Sequence, residues 1–498
     1  EHVCDLIDQI NPPMDENGRA IRRDSQDESG VVFLDDQDDD DYYSDEYSDD
    51  YSDHYDDRDD ASSFSDDDDY SRNNKQLHPI DESDEVESRY DDELQLSRAE
   101  SDDDLYPLPH DPVQRNPEIP ACDHQPPSIL GFVRKNIGKD LSTIAMPVDM
   151  NEPLTLLQRF SEVFEYTDLL ENTLEGQFSD DSGEKILRIA SFALTYMSTV
   201  REKERNNRKP FNPLLGETYE LVREDFGIRM IAEKVSHRPP VFAFHADAKN
   251  WSYTYSPSPN QTFWGKNAEI VTKGVAKLTV KSTGEVFTWE APTTLLKNII
   301  AGEKYTEPST EMVIKSSTGT KAVVEFAKGG MFSGRSEDLV IKAFDLSKKQ
   351  LSYTVSGKWT ESLTLKTHTA EKTIWQVGKV LQPPKKKFGF TEFAGTLNKI
   401  TPIEKGKLAP TDSRLRPDLI AYEKGDVESA EALKQKLEED QRTRRKQLEE
   451  SGGKHEPLFF THVGGTTPDS GEWVVKTGPK SYWNRRKNGD WDDLPQLW

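Results

Sequence analysis

The chain has 498 residues, a formal net charge of −29 and a mean hydropathy of −0.81. The negative charge is concentrated in residues 1–120, which contain 41 acidic and 9 basic side chains, whereas residues 121–498 carry a net charge of +3. We therefore expect an acidic segment attached to a nearly neutral globular region, and no nucleic-acid partner, since such partners require a basic face.

The two cysteines, Cys4 and Cys122, argue against a disulfide framework and a cysteine-based metal site. This usage favours a reducing, cytosolic compartment. No stretch of roughly 18 apolar residues is present, so no helix is expected to span a bilayer. The chain starts without a methionine or a signal-peptide pattern, and we expect it to be part of a longer protein. No cofactor or metal is predicted.

Residues 24–104 are acidic and of low complexity, with Tyr-Ser-Asp units that start at Tyr43, Tyr47 and Tyr51. Such a dense run of like charges cannot bury enough apolar surface to offset the entropy of ordering. We predict a disordered acidic linker over residues 1–124, followed by a structured region from residue 125 to the end.

Two amphipathic patterns open the structured region. The first predicts helix from residue 153 to 170, and the second predicts a longer helix from about residue 184 to 207, because apolar residues recur at spacings of three and four. Near the C-terminus, a segment rich in Ala, Leu, Glu, Lys and Arg predicts a long helix over about residues 425–450 within a helical subdomain.

From residue 211 to about residue 377, apolar and polar residues alternate and turn signals recur at short intervals. For example, Leu278-Thr279-Val280-Lys281 is followed by Ser282-Thr283-Gly284 and then by Val286-Phe287-Thr288-Trp289. This spacing predicts antiparallel strands in a sandwich or barrel, and the length favours a barrel. The predicted fold is mainly β with α: a large antiparallel, near-complete β-barrel enclosing a cavity, with N-terminal helices and a long C-terminal helix.

Between two predicted strands lies the octapeptide Glu233-Lys234-Val235-Ser236-His237-Arg238-Pro239-Pro240. Each proline fixes its own φ and pushes the preceding residue away from the helical region. The chain therefore leaves the sheet at a rim and presents the adjacent cationic groups of His237 and Arg238 together. This layout suits the binding of a phosphate better than it suits catalysis.

The octapeptide resembles the fingerprint of the oxysterol-binding protein family, Glu-Gln-Val-Ser-His-His-Pro-Pro, with Lys234 for Gln and Arg238 for the second His. The similarity extends over about residues 125–490 and is closest to fungal-type members. It implies a barrel whose tunnel holds a lipid, with the head group of phosphatidylinositol 4-phosphate at the mouth. Because arginine is always charged, whereas a free histidine has a pKa of about 6.5, Arg238 should keep phosphate binding and make it less dependent on pH.

The resemblance also implies further contacts with the head group. Lys209-Pro210-Phe211-Asn212-Pro213-Leu214-Leu215-Gly216-Glu217 matches the family's Lys-Pro-x-Asn-Pro-x-Leu-Gly-Glu stretch and assigns Lys209 and Asn212 to the phosphoinositide. On the predicted C-terminal helix, Lys434, Glu438 and Arg442 share one face at spacings of four. Alone, this stripe is typical of an exposed ladder of ion pairs. The resemblance assigns it to the phosphoinositide, with Glu438 orienting its neighbours or an inositol hydroxyl.

Residues 125–147 resemble the lid of the family, with Ile129, Leu130, Phe132 and Val133 directed to the tunnel, and residues 148–498 form the lipid-binding barrel. Basic residues in the lid and the run Lys385-Lys386-Lys387-Phe388 are predicted to meet an anionic bilayer transiently. In the acidic segment, residues 32–38 loosely resemble a motif that docks family members on VAMP-associated proteins of the endoplasmic reticulum. The alternative is a stray apolar patch.

The sequence thus predicts a non-enzymatic lipid-transfer protein, cytoplasmic and peripheral at membranes, with contact sites of the endoplasmic reticulum as its location. It would carry phosphatidylinositol 4-phosphate between membranes. Whether it exchanges this lipid for a second one, either sterol or phosphatidylserine, or for none stays open. A phosphoinositide sensor that does not transfer lipid is the alternative. A phosphatase or serine hydrolase is disfavoured, because no Cys-x5-Arg loop, metal-ligand cluster or Gly-x-Ser-x-Gly motif is present.

Overall fold

The structure is a computed structural model that describes residues 104–127, 146–264, 266–299, 302–328 and 334–498. The acidic repeats, the 32–38 motif and most of the predicted lid lie outside the described residues, so the predictions for Ile129, Leu130, Phe132 and Val133 are not addressed by the structure.

The described residues form twenty β-strands. They are β1 Asn151–Thr155, β2 Lys209–Phe211, β3 Thr218–Arg223, β4 Ile228–Ser236, β5 Val241–Ala248, β6 Trp251–Tyr255, β7 Ser258–Trp264, β8 Asn267–Lys273, β9 Val275–Val280, β10 Val286–Glu290, β11 Thr294–Lys297, β12 Tyr305–Pro308, β13 Met312–Ser316, β14 Lys321–Phe326, β15 Asp338–Phe344, β16 Gln350–Lys358, β17 Ser362–Lys366, β18 Glu371–Gln376, β19 Phe460–Val463 and β20 Glu472–Val475.

Twelve of these strands form one antiparallel sheet in the order β18-β17-β16-β15-β14-β13-β10-β9-β6-β5-β4-β3. The order follows the chain except where β7-β8 and β11-β12 leave it to form a four-stranded sheet, β12-β11-β8-β7. Accordingly β6 pairs directly with β9, with Trp251 opposite Val280. The two edge strands β3 and β18 are not hydrogen-bonded to each other, so the sheet is not closed by hydrogen bonds into a complete barrel. The predicted mainly-β antiparallel fold is confirmed.

The burial pattern shows which strands of the large sheet are covered on one face and which on both. β13 and β15 alternate between buried and accessible residues, as expected for strands with one face toward the core. β3 and β4 are instead buried on both faces. The C-terminal region causes this, because Phe459, Trp473 and Trp483 pack in one cluster with Ile231 and Val235 on the outer face of the sheet.

Seven α-helices accompany the sheets within the described residues. They are α1 Leu156–Phe160, α2 Thr167–Glu175, α3 Glu184–Leu194, α4 Lys203–Asn207, α5 Pro417–Glu423, α6 Val427–Glu450 and α7 Tyr482–Asn488. The long C-terminal helix α6 confirms the prediction for this part of the chain. Among the described helices, none combines the length and the apolar character that crossing a bilayer requires.

The two predicted N-terminal helical regions are each interrupted. The 3-10 segments Ser161–Tyr166 and Thr195–Val200 replace α-helix in their middle. In both regions hydroxyl side chains bond to nearby carbonyls, as when Thr195 Oγ1 donates to Phe192 O at 2.8 Å and Ser198 Oγ donates to Thr195 O at 2.7 Å. These local bonds compete with the regular helical pattern, which the apolar periodicity alone does not reveal.

Residues 104–127 pack on the barrel, which differs from the predicted linker that extends to residue 124. Leu108 is buried in the cluster with Trp483, and Arg115 Nη1 donates to Glu224 Oε1 at 2.8 Å. Farther along, the backbone N–H of Cys122 donates to Lys386 O at 2.8 Å. Because residues 105–120 carry few charges and several apolar side chains, they bury surface that the acidic repeats lack, and the linker boundary at residue 124 is wrong over this segment.

Candidate functional site

A cavity of about 400 Å³ lies between the N-terminal helices and the strands. Its wall is largely apolar and contains many aromatic side chains, namely Phe160, Phe164, Tyr196, Phe211, Phe244, Tyr253, Tyr255, Trp289 and Trp359. The strands place these rings in layers, because Phe244 lies opposite Tyr255 and Ala246 lies opposite Tyr253.

The cavity wall combines aromatic and polar side chains. Phe164 stacks on the buried Trp251 with ring centroids 6.1 Å apart, and Trp251 Nε1 donates to Glu171 Oε1 at 2.7 Å. Lys209 and Asn212 are part of the wall. An apolar ligand with a polar head fits this composition.

Residues 209–217, here called the proline loop, are held in place by hydrogen bonds from Arg416. Its Nη1 donates to the carbonyl of Asn212 at 2.8 Å and to Glu217 Oε2 at 3.0 Å. The same carboxylate accepts the backbone N–H of Leu214 at 2.8 Å. Burial raises the pKa of Glu217, and Arg416 opposes this by stabilising the carboxylate. These bonds hold the backbone of the proline loop in place before any ligand binds.

Lys234 joins the proline loop to the sheet. The side chain is buried, and its Nζ donates to Asn212 Oδ1 and to Pro213 O, both at 2.8 Å. It also lies 5.8 Å from the ring centroid of Phe242. Sequence reasoning did not assign a role to Lys234. One sequence feature could have drawn attention to it: Lys234 replaces the family's Gln at a position on the inner face of β4.

The helix α6 lies along the other side of the proline loop. Gln441 Oε1 accepts the backbone N–H of Leu215 at 2.8 Å, and Leu437 packs with Leu214 and Leu497. On the same face, Lys434 and Glu438 are buried and form an ion pair one turn apart, whereas Arg442 is exposed. Burial of the first two residues does not fit an exposed ladder of ion pairs.

His237 and Arg238 lie in the turn that joins β4 to β5, here called the 237–240 turn. His237 is half-buried and Arg238 is exposed. The turn continues the strand that carries Lys234, whose backbone N–H donates to Glu217 O at 3.0 Å. The turn therefore stands at the end of β4 that adjoins the proline loop.

The adjacent Glu233 faces the opposite side of β4. Both of its carboxylate oxygens accept backbone N–H groups, from Leu458 at 2.6 Å and from Phe459 at 2.8 Å. Burial raises the pKa of Glu233 to about 8. This residue of the fingerprint therefore ties β4 to the C-terminal region and does not face the cavity.

Three separated segments thus converge: the proline loop, β4 with its turn, and α6. Lys209 and Asn212 belong to the cavity wall, whereas the other predicted residues, His237, Arg238, Lys434, Glu438 and Arg442, are not part of it. The predicted membrane contact at residues 385–388 needs one correction. Phe388 is buried and lies 5.1 Å beneath the guanidinium of Arg208, because the aromatic side chain completes the core there.

Residues 128–487 match the sequence model of the family described as oxysterol-binding protein. The chain belongs to this family. Oxysterol-binding protein homolog 3 of Saccharomyces cerevisiae is 50% identical over 387 residues, which are 78% of this chain and 37% of that protein. A homolog from Schizosaccharomyces pombe is 45% identical over 405 residues, 79% of this chain and 42% of that protein. The chain thus spans less than half the length of these two relatives of the oxysterol-binding family.

Solved structures of the family resemble the fold described here. The crystal structure of the Osh3 ORD in complex with PI(4)P from Saccharomyces cerevisiae has a TM-score of 0.70 and 50% identity, and covers 78% of this chain and 100% of that one. The Osh1 ORD in complex with cholesterol has a TM-score of 0.67 and 26% identity, with 83% and 100% covered. The predicted membership of the oxysterol-binding protein family is confirmed.

Proposed function

We propose that the chain binds phosphatidylinositol 4-phosphate, with its acyl chains in the cavity and its head group at the proline loop, and transfers the lipid between membranes. The observation that carries this proposal is the continuity of one cavity wall, from stacked aromatic rings to Lys209 and Asn212. The complex of PI(4)P with the Osh3 ORD, which is 50% identical to this chain, supports the choice of ligand.

Transfer in this proposal involves no covalent step. The apolar wall replaces the bilayer interior, at about 0.8 kcal/mol for each buried methylene. Lys209, His237, Arg238 and Arg442 replace the solvation of the phosphates, since charge-assisted hydrogen bonds to phosphate oxygens are short and strong. Asn212 offers an amide donor, and the ion pair of Lys434 and Glu438 orients these groups.

A second lipid completes an exchange cycle, and the candidates are a sterol and phosphatidylserine. The family supports the sterol arm, because solved structures of the Osh1 ORD contain cholesterol or ergosterol. We propose that residues 125–147 cover the loaded cavity and that exposed basic side chains such as Lys385 give transient contact with anionic membranes. The proposed location is cytoplasmic, at contact sites of the endoplasmic reticulum, with residues 32–38 as the docking motif.

A liposome assay tests the proposal. Donor vesicles carry labelled phosphatidylinositol 4-phosphate, acceptor vesicles carry none, and arrival of label in the acceptors is followed with and without protein. Transfer faster than the spontaneous rate supports the proposal. Binding without transfer favours the sensor, and release of inorganic phosphate favours a phosphatase.

A further inference from the structure

The cavity wall contains five cationic side chains, Arg159, Arg205, Arg208, Lys209 and Lys304. Four of them have partners. Arg205 donates to Glu162 Oε1 at 2.6 Å, Arg159 donates to Glu152 Oε1 at 3.4 Å, Arg208 donates to Tyr422 Oη at 2.8 Å, and Lys209 is also engaged. These four groups are already compensated in the folded protein.

Lys304 differs from the other four. Among the described residues, no hydrogen bond or ion pair engages its ammonium group. The side chain is half-buried, and burial lowers its pKa, with no carboxylate that opposes this effect. An ammonium that loses hydration without gaining a partner is unfavourable, and such groups mark sites where a ligand supplies the missing charge.

The strand alternation explains why Lys304 faces the cavity. Lys304 immediately precedes β12 and shares its inward face with Thr306, and both belong to the cavity wall. The neighbouring carboxylates point elsewhere, since Glu303 pairs with Lys203 at 3.9 Å and Glu307 pairs with Lys297 at 3.8 Å. The local sequence therefore offers Lys304 no counterion of its own.

The place of Lys304 in the cavity wall follows from its neighbour. Thr306 Oγ1 donates to Asn206 Oδ1 at 2.7 Å, and Asn206 belongs to α4, which leads within three residues to Lys209. The strand that follows Lys304 is therefore hydrogen-bonded to the segment that carries Lys209, the residue assigned to the head group.

We propose that Lys304 binds the phosphodiester group of a glycerophospholipid inside the cavity and so selects glycerophospholipids over sterols. This inference rests on the proposed function. The phosphodiester is the anion that lies between the head group and the acyl chains, and Lys304 is the cation of the cavity wall for which the described residues supply no partner. A sterol carries no charge and leaves the ammonium uncompensated. The second cargo is accordingly phosphatidylserine in preference to sterol.

The test compares four proteins: wild type, Lys304→Met, Lys304→Arg and Lys297→Met. Lys297 is the matched control, because it lies on the neighbouring strand β11, pairs with Glu307 and is not part of the cavity wall. Each protein is titrated with vesicles that contain phosphatidylinositol 4-phosphate, phosphatidylserine or cholesterol, and the lipid extracted into solution is measured.

We expect Lys304→Met to weaken extraction of both phospholipids roughly tenfold, the size of one charge-assisted hydrogen bond, and to leave cholesterol extraction unchanged or higher. Lys304→Arg and Lys297→Met should stay within about threefold of wild type, which is half of that effect in free energy. Equal extraction by Lys304→Met and wild type, or an equal loss for all three lipids, would overturn the assignment. Failure of wild type to extract phosphatidylinositol 4-phosphate would instead overturn the proposed function.

Discussion

Lys234 Nζ donates a hydrogen bond of 2.8 Å to Asn212 Oδ1 and thereby links the fingerprint strand to the proline loop. The same ammonium holds the carbonyl of Pro213 at 2.8 Å. Because the side-chain oxygen of Asn212 accepts from Lys234, the NH₂ group is the donor that Asn212 can offer to a ligand. One buried lysine thus fixes both the position and the orientation of an amide that we assign to the head group.

The first prediction concerns this link. Lys234→Met removes both hydrogen bonds and leaves two buried oxygens without donors, so we expect the free energy of unfolding to fall by about 1–3 kcal/mol. Lys234→Gln, which restores the family's residue and keeps one amide donor, should lose less. Denaturant titration measures the stability, and vesicle extraction measures the lipid affinity. If Lys234→Met keeps wild-type stability and extraction, the link has no energetic role.

The second prediction concerns Arg238, which is exposed and so does not contribute to the core. We expect Arg238→Glu to abolish extraction of phosphatidylinositol 4-phosphate, because a negative charge then faces the phosphate, while the thermal midpoint stays within a few degrees of wild type. Normal extraction by this variant would show that the 237–240 turn does not contact the head group.

The pH dependence separates arginine from histidine at position 238. Arg238→His places a group with an ordinary pKa of about 6.5 in the turn, so its charge is present at pH 6 and largely lost at pH 8. We expect the affinity of this variant to fall more steeply between pH 6 and pH 8 than that of wild type, because Arg238 stays charged throughout this range. Parallel pH profiles for the two proteins would contradict the assignment.

Particular residues show how far the sequence predicts this molecule. Helix α6, Val427–Glu450, is recognisable because its composition and spacing are local properties. The turn chemistry after Val280 and Ser316 likewise marks the strands that flank it. The convergence of the proline loop, the 237–240 turn and α6 was expected only through the family resemblance, because Leu215 and Gln441, which are 226 positions apart, meet only in the folded chain.

Other features depend on contacts that no local pattern contains. No local pattern singles out Arg416, and its bonds to Asn212 and Glu217 become visible only in three dimensions. Lys304 looks like an ordinary surface lysine in the sequence, and its significance comes from the absence of a described partner in an apolar wall. Burial of a charge is a property of the tertiary structure, which composition does not fix.

The fourth prediction concerns Arg416. Arg416→Met leaves the buried carboxylates of Glu217 and Asp418 without their common partner, so we expect a loss of about 3–5 kcal/mol in the free energy of unfolding. Arg416→Lys keeps the charge but not the bidentate geometry and should lose less. Arg485→Met, which removes a cation paired with the more exposed Asp490 and Asp493, is the control. If Arg416→Met lowers the free energy of unfolding by no more than the control does, Arg416 does not stabilise the proline loop through its buried ion pairs.

The last prediction concerns the pH dependence of stability at Glu165. Burial, together with the charge of Glu162, raises the pKa of Glu165 to about 8, although Thr391 Oγ1 donates to its carboxylate at 3.0 Å. Since the unfolded pKa is about 4.3, Glu165 binds more protons in the folded state between these values, and its contribution to the free energy of unfolding falls as the pH rises from about 4.3 to about 8. Glu165→Gln carries no titrating group at this position, so its stability should exceed that of wild type on the order of 1–3 kcal/mol at pH 8 and by less at pH 5. Glu392→Gln, which alters an exposed carboxylate paired with Lys379, should reproduce the wild-type curve, and denaturant titrations at the two pH values provide the comparison. A Glu165→Gln curve parallel to that of wild type would mean that Glu165 is ionised in the folded protein across this range.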